Sequence, residues 1–367
     1  MPAPSELTTI DDAVTANVED ALARFLTVRR AVLTERAPAF ADAVDTLSGF
    51  VLNGGKRIRP TFAWWGWRGA GGEAAGERAG AVLCAVSALE LLQACALIHD
   101  DLIDASDVRR GAPTVHVAYA GAHRAKGWLG DPERFGMAAA ILIGDLALAW
   151  AEDMFAGSGL TPDLLAGARE PWQTMRSEVL AGQFLDVLAQ AEGDESPAAA
   201  LAVAEMKTAA YTVERPLHLG AALAGADSGT VAAVRRFGAD LGVAFQLRDD
   251  LLGVFGDTRA TGKPAGDDLR EGKRTLLVAL GMRHAEEAGR HADADALRAA
   301  LGDQELTAAT IERIRGVLTD LGAVAAVERR IETLTASAMD ALAAADLAEP
   351  AATRLAELAV AATARDR

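Results

Sequence analysis

Cysteine is scarce in this chain of 367 residues, which contains only Cys84 and Cys95. Both lie in apolar stretches of helical character, where a free cysteine behaves as a small buried hydrophobic side chain. Two such residues do not form a disulfide framework, and no cysteine or histidine spacing typical of a zinc site is present. We therefore exclude a disulfide-stapled secreted module and a structural zinc module.

Positive charge is also in short supply. The chain has 36 Lys and Arg against 52 Asp and Glu, a formal net charge of −16. A protein this acidic repels a polyanion at long range, which argues strongly against a nucleic-acid partner. Any small anionic ligand must then be bound by local basic residues or by a metal ion.

A convincing targeting or membrane segment is missing as well. Residues 1–6 lack the basic and apolar regions of a signal peptide. Residues 81–98 carry Glu90 and Gln93, while residues 137–150 are interrupted by Asp145 and are too short to span a bilayer. We interpret both runs as core helices and expect a cytoplasmic protein without a transmembrane segment.

Period-two alternation is almost absent, whereas apolar residues recur with the 3.6-residue period of helices and Ala and Leu dominate. The sequence therefore predicts an all-α fold in one domain, residues 1–367, with motifs in about 50–280 and packing helices in about 290–367. The predicted helices are 11–33, 38–52, 60–70, 78–104, 134–156, 162–192, 198–222, 228–256, 273–289, 294–302, 307–321, 324–346 and one from residue 350.

Two aspartate clusters are the most informative feature that is present. Asp100, Asp101 and Asp104 end one long apolar helix, and Asp249 and Asp250 lie near the end of another. Carboxylates four residues apart share a helix face, so Asp100 and Asp104 should form one anionic patch. Such hard oxygen ligands suit Mg²⁺, which proteins hold with one or two carboxylates plus substrate phosphates. Two facing patches would clamp a diphosphate.

Basic groups beside glycines accompany the clusters. Arginine binds phosphate with two parallel hydrogen bonds, and glycine allows close approach of the backbone. Pro60 is predicted at the first position of a helix whose N-terminus would face an anion. The basic groups lie in residues 54–60, 109–111, 262–264 and 272–275.

In order and spacing, these motifs resemble those of trans-polyprenyl diphosphate synthases, the class I isoprenyl transferases that include farnesyl and geranylgeranyl diphosphate synthases. The resemblance covers roughly residues 50–280 and rests on residues 54–60, 97–104, 109–111, 207–208, 245–250 and 262–263. It implies an orthogonal helical bundle around a central apolar cavity, isopentenyl and allylic diphosphates as substrates, a homodimer, and Mg²⁺, with three ions when diphosphate is bound.

The resemblance also implies roles for individual residues. Catalytic roles fall to Asp100, Asp104, Arg109, Lys207, Asp249 and Lys263. Metal contacts fall to Asp100, Asp104, Asp249 and Asp250. Substrate contacts fall to Lys56, Arg59, Gln93, Arg109, Arg110, Lys207, Thr208, Gln246, Lys263 and Lys273. One departure concerns the second cluster, which in the family usually ends on a third aspartate where this chain has Gly253; Asp257, Asp267 and Asp268 are candidate substitutes.

Positions before the first cluster bear on product length. Ala96, Leu92 and Leu89 lie on about the same helical stripe as Asp100, with Cys95 beside them. In the family, bulky aromatics at such places give short products, so small Ala96 and Cys95 predict a longer tail, with Leu92 as the floor. We expect geranylgeranyl diphosphate, with farnesyl and longer polyprenyl diphosphates as alternatives.

Pro216 lies within a predicted helix and should kink it, freeing the carbonyl of Thr212 near Lys207. A simple bend around the core is the other interpretation.

Two further functions stay open. A class I terpene cyclase also ionises diphosphates, but it needs only one diphosphate site. The other is a non-catalytic partner subunit of another synthase, against which the intact first cluster argues, while Gly253 favours it.

Overall fold

Helices make up nearly the whole structure, a computed structural model that describes residues 9–256 and 266–363. The all-α prediction is confirmed. The α-helices are α1 (Val14–Arg36), α2 (Ala41–Leu52), α3 (Ile58–Gly69), α4 (Glu77–Ile103), α5 (Val115–Lys126), α6 (Pro132–Ala156), α7 (Pro162–Glu192), α8 (Pro197–Val203), α9 (Arg215–Ala224), α10 (Ser228–Phe255), α11 (Asp267–Arg270), α12 (Leu276–Glu287), α13 (His291–Ala300), α14 (Ala308–Asp320), α15 (Ala323–Ala344) and α16 (Ala351–Thr363).

Shorter elements complete the described chain. Two 3₁₀ turns, Ile10–Ala13 and Pro38–Phe40, precede α1 and α2. The only strands among residues 9–256 and 266–363 are β1 (Val108–Arg109) and β2 (Ala112–Pro113), which pair antiparallel. Arg110 and Gly111 form their turn with φ angles of 52° and 75°, the positive values that a tight two-residue hairpin requires. The hairpin directly follows the first aspartate cluster.

Buried apolar side chains form two clusters. The larger surrounds α4, whose Leu89 and Leu91 are fully buried, and includes Trp64 and Trp67 of α3. The smaller joins the end of α10 to α12, α14 and α15. Helices α10 and α15 contribute to both clusters, which favours the proposal that residues 1–367 form one domain. Burial on this scale is the main favourable term in folding.

Two local expectations were wrong. Helix α5 was not predicted, because Gly121 and valines give it a weak intrinsic preference; it forms by packing against α6. Helix α3 begins at Ile58 rather than Pro60, after Arg57 in a left-handed conformation with φ of 51°. Proline is tolerated there because first-turn N–H groups have no helical partner.

The segment before Pro216 is a π-helix, Ala204–Glu214, followed directly by α9. The structure thus has wider i to i+5 turns before Pro216. The predicted kink and the freed carbonyl of Thr212 stay predictions. Pro216 lies at the start of α9, where its missing N–H costs little. The π-helix carries Lys207 and Thr208, and packs against α7 and α10.

Two helices among the described residues are long and apolar enough to cross a membrane by composition, α4 and α6. Within their most apolar windows, 72% of α4 and 39% of α6 are buried. The two pack extensively against each other. Both therefore fit the expected role of core helices, and α6 keeps an exposed apolar face that includes Met137, Ile141 and Leu142.

Candidate active site

A cavity of about 500 Å³ lies among α4, α7, the π-helix, α10 and the segment that follows α11. Apolar side chains form part of its wall, and both aspartate clusters contribute to the polar part. Its polar lining includes Arg59, Gln93, Asp100, Arg109, Gln183, Asp186, Lys207, Thr208, Gln246, Asp249, Asp250, Asp268, Lys273 and Arg274. Two helices distant in sequence thus bring their carboxylates to one cavity.

The first aspartate cluster is held by two basic residues. Nζ of Lys207 donates to Oδ1 of Asp100 across 2.9 Å. Nε of Arg109 donates to Oδ1 of the buried Asp101 across 2.6 Å, and Nη2 of Arg109 lies 3.8 Å from Oδ2 of Asp100. Asp101 therefore anchors Arg109 beside Asp100.

Lys207 reaches a second carboxylate that the sequence analysis missed. Its Nζ lies 2.7 Å from Oδ2 of Asp186 on α7. The two helices approach closely because residue 182 is glycine: a Cβ there would lie 2.5 Å from Cα of Lys207. Gly182 and Asp186 are four residues apart and therefore lie on the same face of α7, towards Lys207.

Asp104 faces Lys273 rather than the open cavity. Nζ of Lys273 lies 3.9 Å from Oδ2 of Asp104 and 3.6 Å from Oδ1 of Asp268, and it also pairs with Glu271. Lys273 thus links the first cluster to the segment that follows the second. Lys263 and Asp257 lie outside the described residues.

Charge and burial shift the pKa values of Asp100 and Asp104 in opposite directions. Burial would raise the pKa of Asp100, but Lys207, Lys273 and Arg109 outweigh it and lower that pKa. Burial, followed by repulsion from Asp100, raises the pKa of Asp104 to about 7. Burial would lower the pKa of Lys207, yet Asp100 and Asp186 raise it. Asp100 and Asp104 can therefore both be ionised at neutral pH only if further positive charge is added beside them.

The second cluster points one carboxylate inward. Asp250 is buried, and Nε2 of Gln246 donates to its Oδ1 across 2.6 Å. Burial, followed by the negative charge of Asp268, raises the pKa of Asp250. Asp249 lines the same cavity with an exposed side chain. The expected placement of Asp249, Asp250 and Gln246 at one cavity is what the structure has.

The glycine loop before α3 lies outside this cavity lining. Arg57 is buried there and donates to Oε2 of Glu90 on α4 across 2.8 Å. Arg110 lies over the same loop: its Nη1 donates to the carbonyl of Asn53 across 3.2 Å. Lys56 is exposed on the loop. Lys56 and Arg110 therefore sit together around the glycines, while Arg59 and Gln93 line the cavity.

Several buried donors on the cavity wall have no hydrogen-bond partner within the described part of the chain. They are Nε of Arg59, Nε2 of Gln183, Oη of Tyr211 and Nε of Arg274. The guanidinium of Arg59 lies 4.3 Å from the Tyr211 ring centroid, and its Nη2 donates to Oγ1 of Thr212 across 2.8 Å. Unpaired buried donors cost free energy, so an anionic or polar ligand would stabilise this wall.

The apolar wall includes the three residues predicted to set product length. Leu92, Cys95 and Ala96 line the cavity. Leu89 is fully buried and is not among the lining residues. Across from α4, α7 supplies Leu180 and Phe184, which are 57% and 66% exposed. The cavity is therefore apolar on the side away from the aspartates.

The donor set fits a divalent cation that arrives with a ligand. Among residues 9–256 and 266–363, no group of three His, Cys, Asp or Glu side chains is close enough to hold a metal alone. Asp100 on α4 and Asp249 on α10 offer oxygen atoms to the cavity instead, and Asp104, which does not line it, lies beside Lys273. This suits Mg²⁺, which completes its octahedron with water and phosphate oxygens.

Similarity to known proteins agrees with this geometry. The sequence model of one family, described as Polyprenyl synthetase, matches residues 42–316. Among solved structures, the chain is similar to geranylgeranyl pyrophosphate synthase from Corynebacterium glutamicum complexed with isoprenyl diphosphate and magnesium, with 47% identity, a TM-score of 0.91, and coverage of 95% of this chain and 98% of that chain.

Two related sequences are named as synthases of different products. The chain is 34% identical to geranylfarnesyl diphosphate synthase of Aeropyrum pernix, over 81% of this chain and 87% of the relative. It is 35% identical to geranylgeranyl diphosphate synthase of Mycobacterium tuberculosis, over 71% of this chain and 69% of the relative. The relatives thus share a chemistry but differ in chain length.

Proposed function

The chain belongs to the polyprenyl synthetase family and is a prenyltransferase, and from this premise we propose that it joins isopentenyl diphosphate head to tail to an allylic diphosphate. The product we propose is geranylgeranyl diphosphate. The observation that carries the proposal is the meeting of both aspartate clusters with Lys207, Lys273 and Arg109 at one partly apolar cavity. That combination suits a ligand with an anionic head and an apolar tail.

The allylic diphosphate occupies the polar part of the cavity. Lys207 and Arg109 lie beside Asp100 and add positive charge where the diphosphate becomes more negative as its C–O bond breaks. Lys263 is assigned to the same group by the family resemblance. The apolar wall excludes water, which would otherwise quench the allylic cation.

Asp100, Asp104 and Asp249 would hold Mg²⁺ together with the diphosphate, and Asp250 supports this set; we propose three ions. When bound, Mg²⁺ neutralises charge on the departing diphosphate as a Lewis acid. The ionised state of Asp104 needs that charge, because burial and Asp100 raise its pKa. The binding of metal and the binding of diphosphate are therefore expected to depend on each other.

Isopentenyl diphosphate is assigned to the basic groups around the glycine loop and its neighbours, namely Lys56, Arg59, Gln93 and Arg110. The buried Nε of Arg59 has no partner within the described chain, which supports an anionic ligand there. A new C–C bond forms between the double bond of isopentenyl diphosphate and the allylic cation. A proton then leaves the new intermediate, and the released diphosphate accepts it. Thr208, Gln246 and Lys273 complete the proposed substrate contacts.

Product length, assembly and location are also proposals. Small Ala96 and Cys95 leave room for the tail, and Leu92 forms its floor. The exposed apolar residues of α6, Met137, Ile141 and Leu142, support a homodimer. We propose a cytoplasmic enzyme without a spanning segment, in which α4 and α6 pack against each other. Sedimentation of the purified chain would test its assembly.

The decisive experiment incubates the purified chain with Mg²⁺, isopentenyl diphosphate and each allylic primer in turn, followed by chromatography of the products. We expect a twenty-carbon diphosphate that requires isopentenyl diphosphate. Turnover of a primer without isopentenyl diphosphate would instead identify a terpene cyclase. No turnover by the chain alone, with turnover after addition of a second synthase, would identify a partner subunit.

A further inference from the structure

The second aspartate cluster lacks a side chain at residue 253, and another part of the chain fills the space. Gly253 lies four residues after Asp249, on the same face of α10. A Cβ at Gly253 would lie 2.5 Å from Cγ of Asp268, with Oδ2 of Asp268 closer still. A carboxyl carbon bonded to that Cβ would stand about 1.5 Å from it. The carboxylate of Asp268 thus occupies nearly the volume that an aspartate at 253 would use.

Asp268 is held in this place by the backbone around it. The N–H of Lys273 donates to the carbonyl of Asp268 across 2.9 Å, and Leu269, the next residue, is 1% exposed within the smaller apolar cluster. The carbonyl of Leu269 accepts from the N–H of Gly302 across 2.8 Å. Position 268 is therefore anchored by the segment up to Gly302 and by the smaller apolar cluster, which also includes α10. Its carboxylate lies against Gly253, on the face of α10 that carries Asp249.

The carboxylate of Asp268 lies in the same cavity as the two aspartate clusters. Asp268 lines the cavity with Asp249 and Asp250. Its Oδ1 lies 3.6 Å from Nζ of Lys273, which also approaches Asp104 at 3.9 Å. Asp268 and the first cluster thus face each other across one ammonium group. A hard oxygen donor at this position suits a divalent cation, directly or through a coordinated water.

We propose that Asp268 takes the place of the third carboxylate of the second cluster and helps to bind the divalent cations that accompany the diphosphate. The inference rests on the proposed function, which does not itself assign Asp268. It explains why Gly253 is compatible with an active enzyme: the negative charge has moved to another segment rather than disappeared. A side chain at 253 would collide with it.

A carboxylate exchange tests the proposal by metal binding rather than by activity. Mn²⁺ replaces Mg²⁺, inorganic diphosphate serves as the anion, and electron paramagnetic resonance measures free Mn²⁺. We expect Asp268→Ala and Asp268→Asn to weaken diphosphate-dependent Mn²⁺ binding by about 10–100-fold, the range for outer ligands of metal sites. The double variant Gly253→Asp/Asp268→Ala should regain most of the loss, because it returns one carboxylate to the same volume.

The matched control is Asp267→Asn, which removes the neighbouring charge from the same short helix without changing the cavity lining; its Mn²⁺ binding should stay as in the wild type. Thermal melting checks that each variant is folded. Unchanged binding in Asp268→Asn would overturn the proposal, and so would a folded double variant as weak as Asp268→Ala. If the double variant does not fold, the comparison of Asp268→Asn with Asp267→Asn decides. A wild type that binds no Mn²⁺ with diphosphate would overturn the proposed function as well.

Discussion

Nζ of Lys207 donates a hydrogen bond to Oδ1 of Asp100 across 2.9 Å, which connects the π-helix to the first aspartate cluster. The same ammonium group reaches Asp186 at 2.7 Å. A lysine shared by two carboxylates provides a fixed positive charge at the cavity wall. Because its position depends on the π-helix and on Gly182, the geometry of the site depends on how closely α7 packs against the π-helix.

Replacement of Asp100 tests the importance of the first cluster. Asp100→Asn keeps the shape of the side chain but removes its charge, while Asp186 still pairs with Lys207. We expect a folded protein whose kcat falls by about 10²–10³, the usual effect of losing one group that stabilises transition-state charge. Steady-state kinetics with a saturating primer and isopentenyl diphosphate measure this. The control is Asp107→Asn, an exposed aspartate outside the cavity lining; near-normal turnover in Asp100→Asn would contradict the clamp.

The buried pair of Arg57 and Glu90 should support both stability and the glycine loop. Their side chains are 1% and 8% exposed. Glu90→Leu would leave the Arg57 charge buried with only the more distant Glu19, and we expect a loss of about 3–5 kcal/mol in the free energy of unfolding. Urea denaturation measures the loss. The KM for isopentenyl diphosphate should rise more than kcat falls, since the loop carries Lys56.

A double variant separates the two effects of this pair. Arg57→Met/Glu90→Leu removes both charges, and an apolar replacement of a buried ion pair is often neutral for stability. Stability should therefore recover while the raised KM for isopentenyl diphosphate persists. If Glu90→Leu had the same urea midpoint as the wild type, the ion pair of Arg57 and Glu90 would not stabilise the fold or the glycine loop.

Helical periodicity was sufficient to locate the helices that carry the aspartates. It predicted residues 78–104 and 228–256 as helices, and α4 and α10 span Glu77–Ile103 and Ser228–Phe255. Both are long, apolar and end near polar clusters, so local pattern and tertiary burial agree. Helical periodicity did not predict α5, because its residues favour helix only weakly and its stability comes from contact with α6.

The parts of the site that could not be predicted all depend on tertiary approach. Asp186 and Gln183 are two polar residues among many on α7, and no local pattern shows that they face a cavity. Likewise, Gly253 indicates a missing carboxylate, but three nearby aspartates were equal candidates until packing brought Asp268 against α10. Sequence spacing constrains faces of one helix, whereas contacts between helices depend on the whole fold.

The buried His218 should make stability depend on pH. Burial lowers its pKa from 6.5 to about 4, although Glu170 acts in the opposite direction. Between these values the unfolded chain binds the proton and the folded chain does not, so this contribution is complete above pH 6.5 and is lost as the pH falls through 4. After allowance for solvent screening we expect about 1–3 kcal/mol.

The contribution of His218 is measured by comparing the free energies of unfolding of the wild type and of His218→Asn over a range of pH. The free energy of unfolding of the wild type minus that of His218→Asn should shrink as the pH falls from 7 to 4. The subtraction removes other titrating groups, including Asp104, whose raised pKa changes stability with the opposite sign. A difference that stays constant with pH would show that His218 titrates alike in both states.

Product length should respond to the α4 residues on the cavity wall. Ala96 lies one turn before Asp100 and lines the cavity, so the ring in Ala96→Phe would fill space that the growing tail must pass. We expect shorter products with condensation retained, because the aspartates and Lys207 stay in place. In contrast, Leu92→Ala removes the proposed floor and should give longer products, at a cost of about 2–5 kcal/mol in stability.

Leu91→Ala is the matched control for the floor residue. Leu91 and Leu92 are adjacent on α4 and are 0% and 2% exposed, but only Leu92 lines the cavity. Both substitutions should therefore destabilise the protein to a similar extent, whereas only Leu92→Ala should lengthen the product. Chromatography of the dephosphorylated products from wild type and the three variants measures this. Equal product lengths in active variants would mean that the tail follows another wall, such as the one formed by Leu180 and Phe184 on α7, and would leave the proposed condensation intact.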